Sequence, residues 1–292
     1  MIRIAVLQAN SSHPEAFIGI INGPDSMLAE RARVVTIWDE DLSLSTAQAS
    51  HGVRACATID EAVEAVDLVM ICGRWGDQHP DIAIEMAGRG LPVFIDKPLA
   101  VSFSRACDVV DAFEAARVPA LCASAYRFAP EVLKFCDQLT QLGPFRSGQA
   151  AGLSEWPGLG PKGRELYFYA VHTAEMIQAV FGEGVEKVAV HPGAGADIAV
   201  LEFADGRRVD WHLLRDCAEI YEIGFYGVEG HGRVRIDPFS AYYENMMAAA
   251  VRMAETGQSP VSLRASAEIV ALLDAVTLAR RTPGKWLALE TR

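Results

Sequence analysis

Continuous apolar runs alternate with amphipathic stretches along the first part of the chain, and few folds satisfy that alternation. The runs are Ile2 to Leu7, Val34 to Trp38, Leu68 to Cys72, Leu91 to Ile95 and Pro119 to Cys122. Between them, Pro14 to Asn22, Ser43 to Ser50, Asp60 to Ala65, Gln78 to Ala87 and Ser102 to Ala116 carry apolar residues at three- and four-residue spacing, the period of a half-buried helix. A strand apolar on both sides has to be covered on both faces, and helices that alternate with such strands provide the cover of a parallel sheet. Residues 1–122 are therefore expected to form a doubly wound, Rossmann-like α/β domain.

The pattern changes after Cys122. A helix is expected at about Pro130 to Leu142, a Gly/Pro-rich loop from Gly152 to Gly163 and a second helix at about Glu165 to Phe181. Shorter alternating segments follow at Lys187 to His191, Asp197 to Phe203, Arg207 to Leu214, Glu219 to Tyr226 and Arg233 to Ile236, with Asp205-Gly206 as a hairpin turn. Helical stretches at Phe239 to Glu255 and Leu263 to Arg281 and a short tail complete residues 123–292. This half reads as an α+β domain with an open, mostly antiparallel sheet. A chain of 292 residues is of ordinary length for two such domains.

Charge narrows the partners. With 26 Lys and Arg against 38 Asp and Glu, the net charge is −12, which disfavours nucleic acid and anionic membrane surfaces. The six cysteines form no C-x-x-C pair and suit a reducing compartment. Met1 leads directly into a strand, and no apolar run approaches the roughly 20 residues that span a bilayer. A cytoplasmic protein is expected.

Chemistry should gather at the carboxyl ends of the parallel strands, where ligands of open α/β sheets bind. Phe94-Ile95-Asp96-Lys97-Pro98-Leu99 fixes a lysine there beside a carboxylate, and Pro98 stops the strand from continuing. The first strand-to-helix turn, Gln8-Ala9-Asn10-Ser11-Ser12-His13-Pro14-Glu15, contains no glycine, so the glycine-rich dinucleotide fingerprint is absent. What it keeps is a helix start, at which Asn10, Ser11, Ser12 and His13 either contact a phosphate or cap the helix. Asp39 ends the second strand, where a carboxylate would accept from a ribose hydroxyl and repel a 2′-phosphate. The chain shows no phosphate-binding P-loop, no Ser/His/Asp nucleophile arrangement and no aromatic-basic interleaving of a nucleic-acid binder.

Four stretches in sequence order resemble the Gfo/Idh/MocA oxidoreductases, the relatives of glucose-fructose oxidoreductase and inositol dehydrogenase. Asp96-Lys97-Pro98-Leu99 is similar to the family's Glu-Lys-Pro, and Arg74-Trp75-Gly76-Asp77-Gln78-His79 stands where the family has Thr-Pro and a helix-opening His. Ala125-Tyr126-Arg127-Phe128-Ala129-Pro130 resembles Asn-x-Arg-Phe-x-Pro, and Val171-His172-Thr173-Ala174-Glu175 resembles the His-x-x-Asp helix. The resemblance implies a nucleotide-binding domain, a second domain whose sheet makes homodimer or homotetramer contacts, and a cleft between them. It implies Lys97 and His172 as polar catalysts on a sugar, polyol or related hydroxy compound. Asn10, Ser11, Ser12, His13, Asp39, Arg74, His79 and Asp96 are then contacts of NAD or NADP, with NAD favoured. Tyr126, Arg127, Tyr169, Glu175 and Arg164 are expected to shape the substrate site.

The chain also departs from the family. Besides the missing glycines, Phe168 replaces the aspartate four residues before the histidine, Glu175 replaces the helix aspartate and Ala170 a glycine. These changes support two alternatives: a lyase, isomerase or hydrolase-like member that has lost the nucleotide, or a non-catalytic ligand-binding protein. His172 and Glu175 have a spacing open to two metal ligands, with His191 or His212 as conceivable thirds, but no supporting pair accompanies them and no metal is expected. Tyr167, Tyr169, Trp156, Trp211 and His212 suit either a cleft wall or ordinary packing.

Overall fold

The computed structural model describes residues 1–155 and 165–291, and their contacts divide into two compact units. The first unit comprises Met1–Ala100, Ser104–Ala123 and Tyr243–Ser266. Its strands are β1 (Ile2–Leu7), β2 (Ala32–Trp38), β3 (Arg54–Cys56), β4 (Leu68–Ile71), β5 (Val93–Asp96) and β6 (Ala120–Ala123), all parallel in the order β3-β2-β1-β4-β5-β6. The runs read as doubly buried strands are so: β4, β5 and β6 are buried at every position. Helices α1 (His13–Asn22), α2 (Leu42–Gln48), α3 (Ile59–Val63), α4 (His79–Gly88) and α5 (Phe103–Ala116) supply the connections. Strand order reverses between β1 and β4, the topological switch point at which such sheets bind ligands.

Two details differ from the sequence expectation. β3, only three residues long, is too short to show a period. Residues 243–266 group with the first unit, although the chain pattern alone places everything after Cys122 in the second. Arg31 anchors this return through a bidentate pair with Glu255, at 3.1 and 2.6 Å.

The second unit comprises Val101–Phe103, Ser124–Tyr242 and Ala267–Arg292. A 3₁₀ turn, Ala125–Phe128, leads into α6 (Pro130–Gln138). The sheet contains β7 (Phe145–Glu155), β8 (Val185–His191), β9 (Ala196–Phe203), β10 (Arg208–Arg215), β11 (Tyr221–Gly227), β12 (His231–Arg235) and β13 (Leu287–Ala288) in the order β12-β11-β7-β10-β9-β8-β13. Every pairing is antiparallel except β7 with β10, so the sheet is mostly antiparallel as expected.

The central strand β7 went unread because its glycines, Gly148 and Gly152, resemble the start of a loop. They serve packing instead. A Cβ on Gly148 would stand 2.6 Å from Phe181 Cζ, and one on Gly152 would stand 2.0 Å from Thr173 Oγ1. Glycine thus lets α8 (Ala170–Phe181) lie close against the sheet, after the short helix α7 (Glu165–Phe168). The Gly/Pro-rich segment beyond Glu155 lies outside the described residues.

Candidate functional site

The last strand residue of β5 organises the carboxyl edge of the parallel sheet. Asp96 is 4 % exposed and both its oxygens are engaged. Oδ1 accepts from the Lys97 N–H at 2.9 Å, and Oδ2 is paired with His13 Nδ1 at the start of α1. On the other side of the same ring, His13 Nε2 lies 3.1 Å from the Tyr243 hydroxyl. Burial works to raise the Asp96 carboxyl, but His13, Lys97 and His79 outweigh it and hold it below its ordinary value. Lys97, 8 % exposed and followed by a cis peptide to Pro98, has its amine lowered by burial, with Asp96 opposing and Arg74 adding to the effect. A lysine whose ammonium is made easier to deprotonate can exchange protons with a substrate hydroxyl.

A dinucleotide held at the switch point needs free backbone N–H groups at the first turn and room for its pyrophosphate. In the turn after β1 the N–H groups that open α1 are already engaged. The His13 N–H is taken by Ser11 Oγ at 3.2 Å, Pro14 has none, the Glu15 N–H is taken by Gln48 Oε1 at 3.1 Å, and the Ala16 N–H by Ser12 O at 3.4 Å. Gln48 also donates from Nε2 to the carbonyls of Ala9 and Ser11, at 2.5 and 2.8 Å, which ties α2 across the turn. Gln8 adopts a left-handed conformation, φ 68°, and its side chain lies against Gly73, where a Cβ would come within 2.3 Å of Oε1. That oxygen is buried without a hydrogen-bond partner; a phosphate, which only accepts, cannot satisfy it. The residues present do not fit a pyrophosphate bound in the manner of the glycine fingerprint.

Several of the other expected nucleotide contacts are also engaged. Asp39 accepts from the Ala9 N–H at 2.6 Å and the Asp41 N–H at 2.9 Å. Asn10 accepts from the Arg74 N–H at 2.8 Å, and Ser11 donates to Cys72 O at 2.7 Å. Ser12 is exposed, and Arg74 places its guanidinium 5.3 Å from the centre of the Trp75 ring. His79 corrects the sequence expectation. It is fully buried, with Nδ1 2.7 Å from Pro98 O and Nε2 2.9 Å from Gly73 O. Both ring nitrogens tie backbone turns together, which leaves neither for a ligand.

In the second unit, His172 lies on α8 with Nδ1 2.6 Å from Ser124 Oγ. Its ring is 4.9 Å from that of Tyr126 and 5.7 Å from that of Tyr221. Burial raises the Tyr221 phenol, with Glu219 and Tyr169 adding to the effect. Arg127 donates to Glu175 Oε2 at 2.5 Å and to Gln178 Oε1 at 2.6 Å. Burial pushes the Glu175 carboxyl up against the pull of Arg127. Arg127 and Glu175 thus brace the His172 helix against the Ala125–Phe128 turn.

Trp211 is fully buried in the sheet, Tyr167 donates to Asp274, and His212 meets Gln149 at 3.3 Å. Tyr169 packs edge-on to Phe168, with ring centres 4.9 Å apart. Arg164 and Trp156 lie outside the described residues. No group of three His, Cys, Asp or Glu side chains able to hold a metal occurs among the described residues.

Sequence reading missed Gln48, Ser124 and Tyr243. Ser124 had a local signal, since it precedes the Tyr126-Arg127 motif and caps its turn, accepting from the Tyr126 N–H at 3.3 Å. Tyr243, 230 residues from His13 in sequence, had none.

Residues 16–123 match the model of an oxidoreductase family with an NAD-binding Rossmann fold, so the first strand and its turn fall outside the match. The chain is 34 % identical over 88 residues to an inositol 2-dehydrogenase of Ralstonia nicotianae, a stretch that covers 29 % of this chain and 26 % of that enzyme. The fold agrees over a far greater length. It superposes on myo-inositol dehydrogenase from Lactobacillus casei in complex with NAD(H) and myo-inositol with a TM-score of 0.85, 12 % identity and coverage of 100 % of this chain and 98 % of that one. For a myo-inositol dehydrogenase of Corynebacterium glutamicum the TM-score is 0.84 at 15 % identity, with each chain covered completely. Residues 16–123, the stretch that carries Lys97, are thus similar to the Gfo/Idh/MocA oxidoreductase family, and the chain spans 26 % of the length of the curated relative it matches.

Proposed function

We propose that the protein is an enzyme acting on a sugar, polyol or related hydroxy compound, with Lys97 and His172 as its polar catalysts. The observation that carries this reading is Lys97, buried beside Asp96 at the carboxyl edge of the parallel sheet, where burial pulls its amine below its ordinary value. Such a group takes or returns a hydroxyl proton, or stabilises charge that develops on the oxygen. His172, oriented by Ser124 and flanked by Tyr126 and Tyr221, supplies a second proton-handling ring and aromatic surface for a polyhydroxylated ligand. The match of residues 16–123 to an NAD-binding oxidoreductase family supports an oxidoreductase, in which a nicotinamide nucleotide would take the hydride; Asp39 would then favour NAD over NADP.

The engaged first turn favours a second reading, transformation of the same class of compound without the nucleotide. We further propose a cytoplasmic homo-oligomer. No described cysteine is in a disulfide, no described helix is long and apolar enough to cross a membrane, and the second sheet has a half-exposed face.

Calorimetric titration with a panel of cyclitols and hexoses tests the reading. We expect saturable binding of at least one, and a loss of its turnover by about 10²- to 10⁴-fold in Lys97→Ala and His172→Ala. Absence of saturable binding across the panel overturns the substrate class; unchanged turnover in both variants overturns the residue roles.

A further inference from the structure

We propose that Asp96, His13 and Tyr243 form an acid–base relay that removes a carbon-bound proton beside a carbonyl in a polyhydroxylated compound, without a nucleotide. This rests on the substrate class proposed above and adds the reaction and its machinery. His13 opens α1, at the turn where the dinucleotide-binding pattern has its last glycine. Its partners are arranged as a relay requires. The Asp96 carboxylate only accepts, so its pairing with Nδ1 places the ring proton there and leaves the Nε2 lone pair toward the Tyr243 O–H, 3.1 Å away. Exposure follows the same order, with the Asp96 side chain at 5 % and that of His13 at 20 %. A buried orienting carboxylate behind a more accessible imidazole and a hydroxyl is the geometry of an activated acid–base group.

The rest of the cluster holds these groups in place. The Lys97 N–H fixes the second carboxylate oxygen at 2.9 Å. The Phe17 ring packs with its centre 5.3 Å from that of His13 and 5.5 Å from that of Tyr243.

The chemistry balances within the chain. The Tyr243 oxygen takes the proton from the carbon as its own proton passes to His13 Nε2, and Asp96 stabilises the resulting imidazolium. The electron pair of the broken C–H bond forms the C=C bond of an enediolate. Its oxygen carries the negative charge, which the Lys97 ammonium can neutralise. Return of the proton to the same carbon gives exchange; its delivery to the neighbouring carbon, with the hydroxyl proton of the first carbon passing to the enediolate oxygen, gives isomerisation. Nothing is oxidised overall.

The test uses full-length protein stripped of nucleotide, in D₂O with dihydroxyacetone and 2-keto-myo-inositol as probes, followed by proton NMR. We expect hydrogens beside the carbonyl of at least one probe to exchange faster than in buffer. His13→Gln and Tyr243→Phe should each slow that exchange about a hundredfold, with the probe's affinity unchanged. NADH and NADPH fluorescence titrations should show no saturable binding tighter than about 1 mM. The proposal is overturned by exchange no faster than buffer for either probe, by exchange unchanged in both variants, or by saturable binding of either nucleotide below that limit. A protein that binds a probe but shows no exchange dependent on His13 defeats the relay and leaves the substrate class standing. One that binds neither probe nor any polyol defeats both.

Discussion

A carboxylate at the end of a buried strand is tolerated only when its partners outweigh the cost of leaving water. At Asp96 they do, and the net effect is a carboxyl held below its ordinary 3.8. A group whose pKa is lowered by folding contributes stability above its unfolded value, and that contribution is lost as pH falls through the folded value. His13→Ala removes the strongest of the opposing influences and leaves the Asp96 oxygen underpartnered. Chemical denaturation at pH 7 should show a loss of about 2 kcal/mol, typical of a buried polar group left unpaired. The difference from wild type should shrink with acidification and vanish only once the pH has fallen through the lowered wild-type value, below 3.8, because Asp96 is then protonated in both proteins. A difference constant from pH 7 to pH 3 would show that the pair contributes nothing electrostatic. The sequence made Asp96-Lys97-Pro98 legible as a site because a charged pair ended an apolar run. It gave no sign that His13 answers Asp96, since periodicity identifies the edge on which residues stand and not which side chains meet there. The pairing of Arg127 with Glu175 was hidden for the same reason: the motif showed two charged side chains, while the fold brings them together at 2.5 Å.

Between elements, the contact of α8 with β7 has the narrowest tolerance. The strand was illegible because a glycine in a strand and a glycine in a loop look alike until the covering helix is known. Gly152 leaves space that Thr173 and Tyr221 fill: a Cβ there would stand 2.0 Å from Thr173 Oγ1 and 2.9 Å from Tyr221 Cδ1. Gly152→Ala should therefore destabilise the protein by about 1–3 kcal/mol, the range for overpacking a close-packed interior. Thr173 offers a control, because its Oγ1 is buried without a hydrogen-bond partner. Thr173→Ala alone should cost little beyond one methyl, and in the double variant it should restore part of the loss, since the nearer of the two obstacles is gone. Urea midpoints for the four proteins complete the cycle. Strict additivity would show that α8 moves away from the sheet to accommodate the methyl, and that the close approach is not enforced by Thr173. The parallel strands, by contrast, were legible because burial on both faces writes an unbroken apolar run into the sequence.

For the whole molecule, the sheet of the second unit sets the expected assembly. Along β9 burial alternates strictly, with Asp197, Ala199, Leu201 and Phe203 inward and Ala196, Ile198, Val200 and Glu202 on the other face. Register places His212 beside both Ile198 and Ala151, and Asp210 beside Val200, so the half-exposed face mixes aliphatic and polar groups. Toward the sheet edge, Glu202 is held by Lys187 and Arg208 at 2.6 Å each, and both cations lie over Trp286. A broad face of this composition matches the mixed polar and apolar character of interfaces between copies of one chain, and closed two-fold assemblies are the commonest arrangement. Sedimentation of the wild type should give a dimer or tetramer of the 31.6 kDa chain. Val200→Arg introduces a charge at the middle of the face without entering the core, so it should shift the population to monomer while the far-UV spectrum stays unchanged. A wild type that sediments as a monomer at micromolar concentration removes the assembly from the proposal. An oligomer indifferent to Val200→Arg places the interface on another surface, and leaves the open face of the sheet to be explained by something other than self-association.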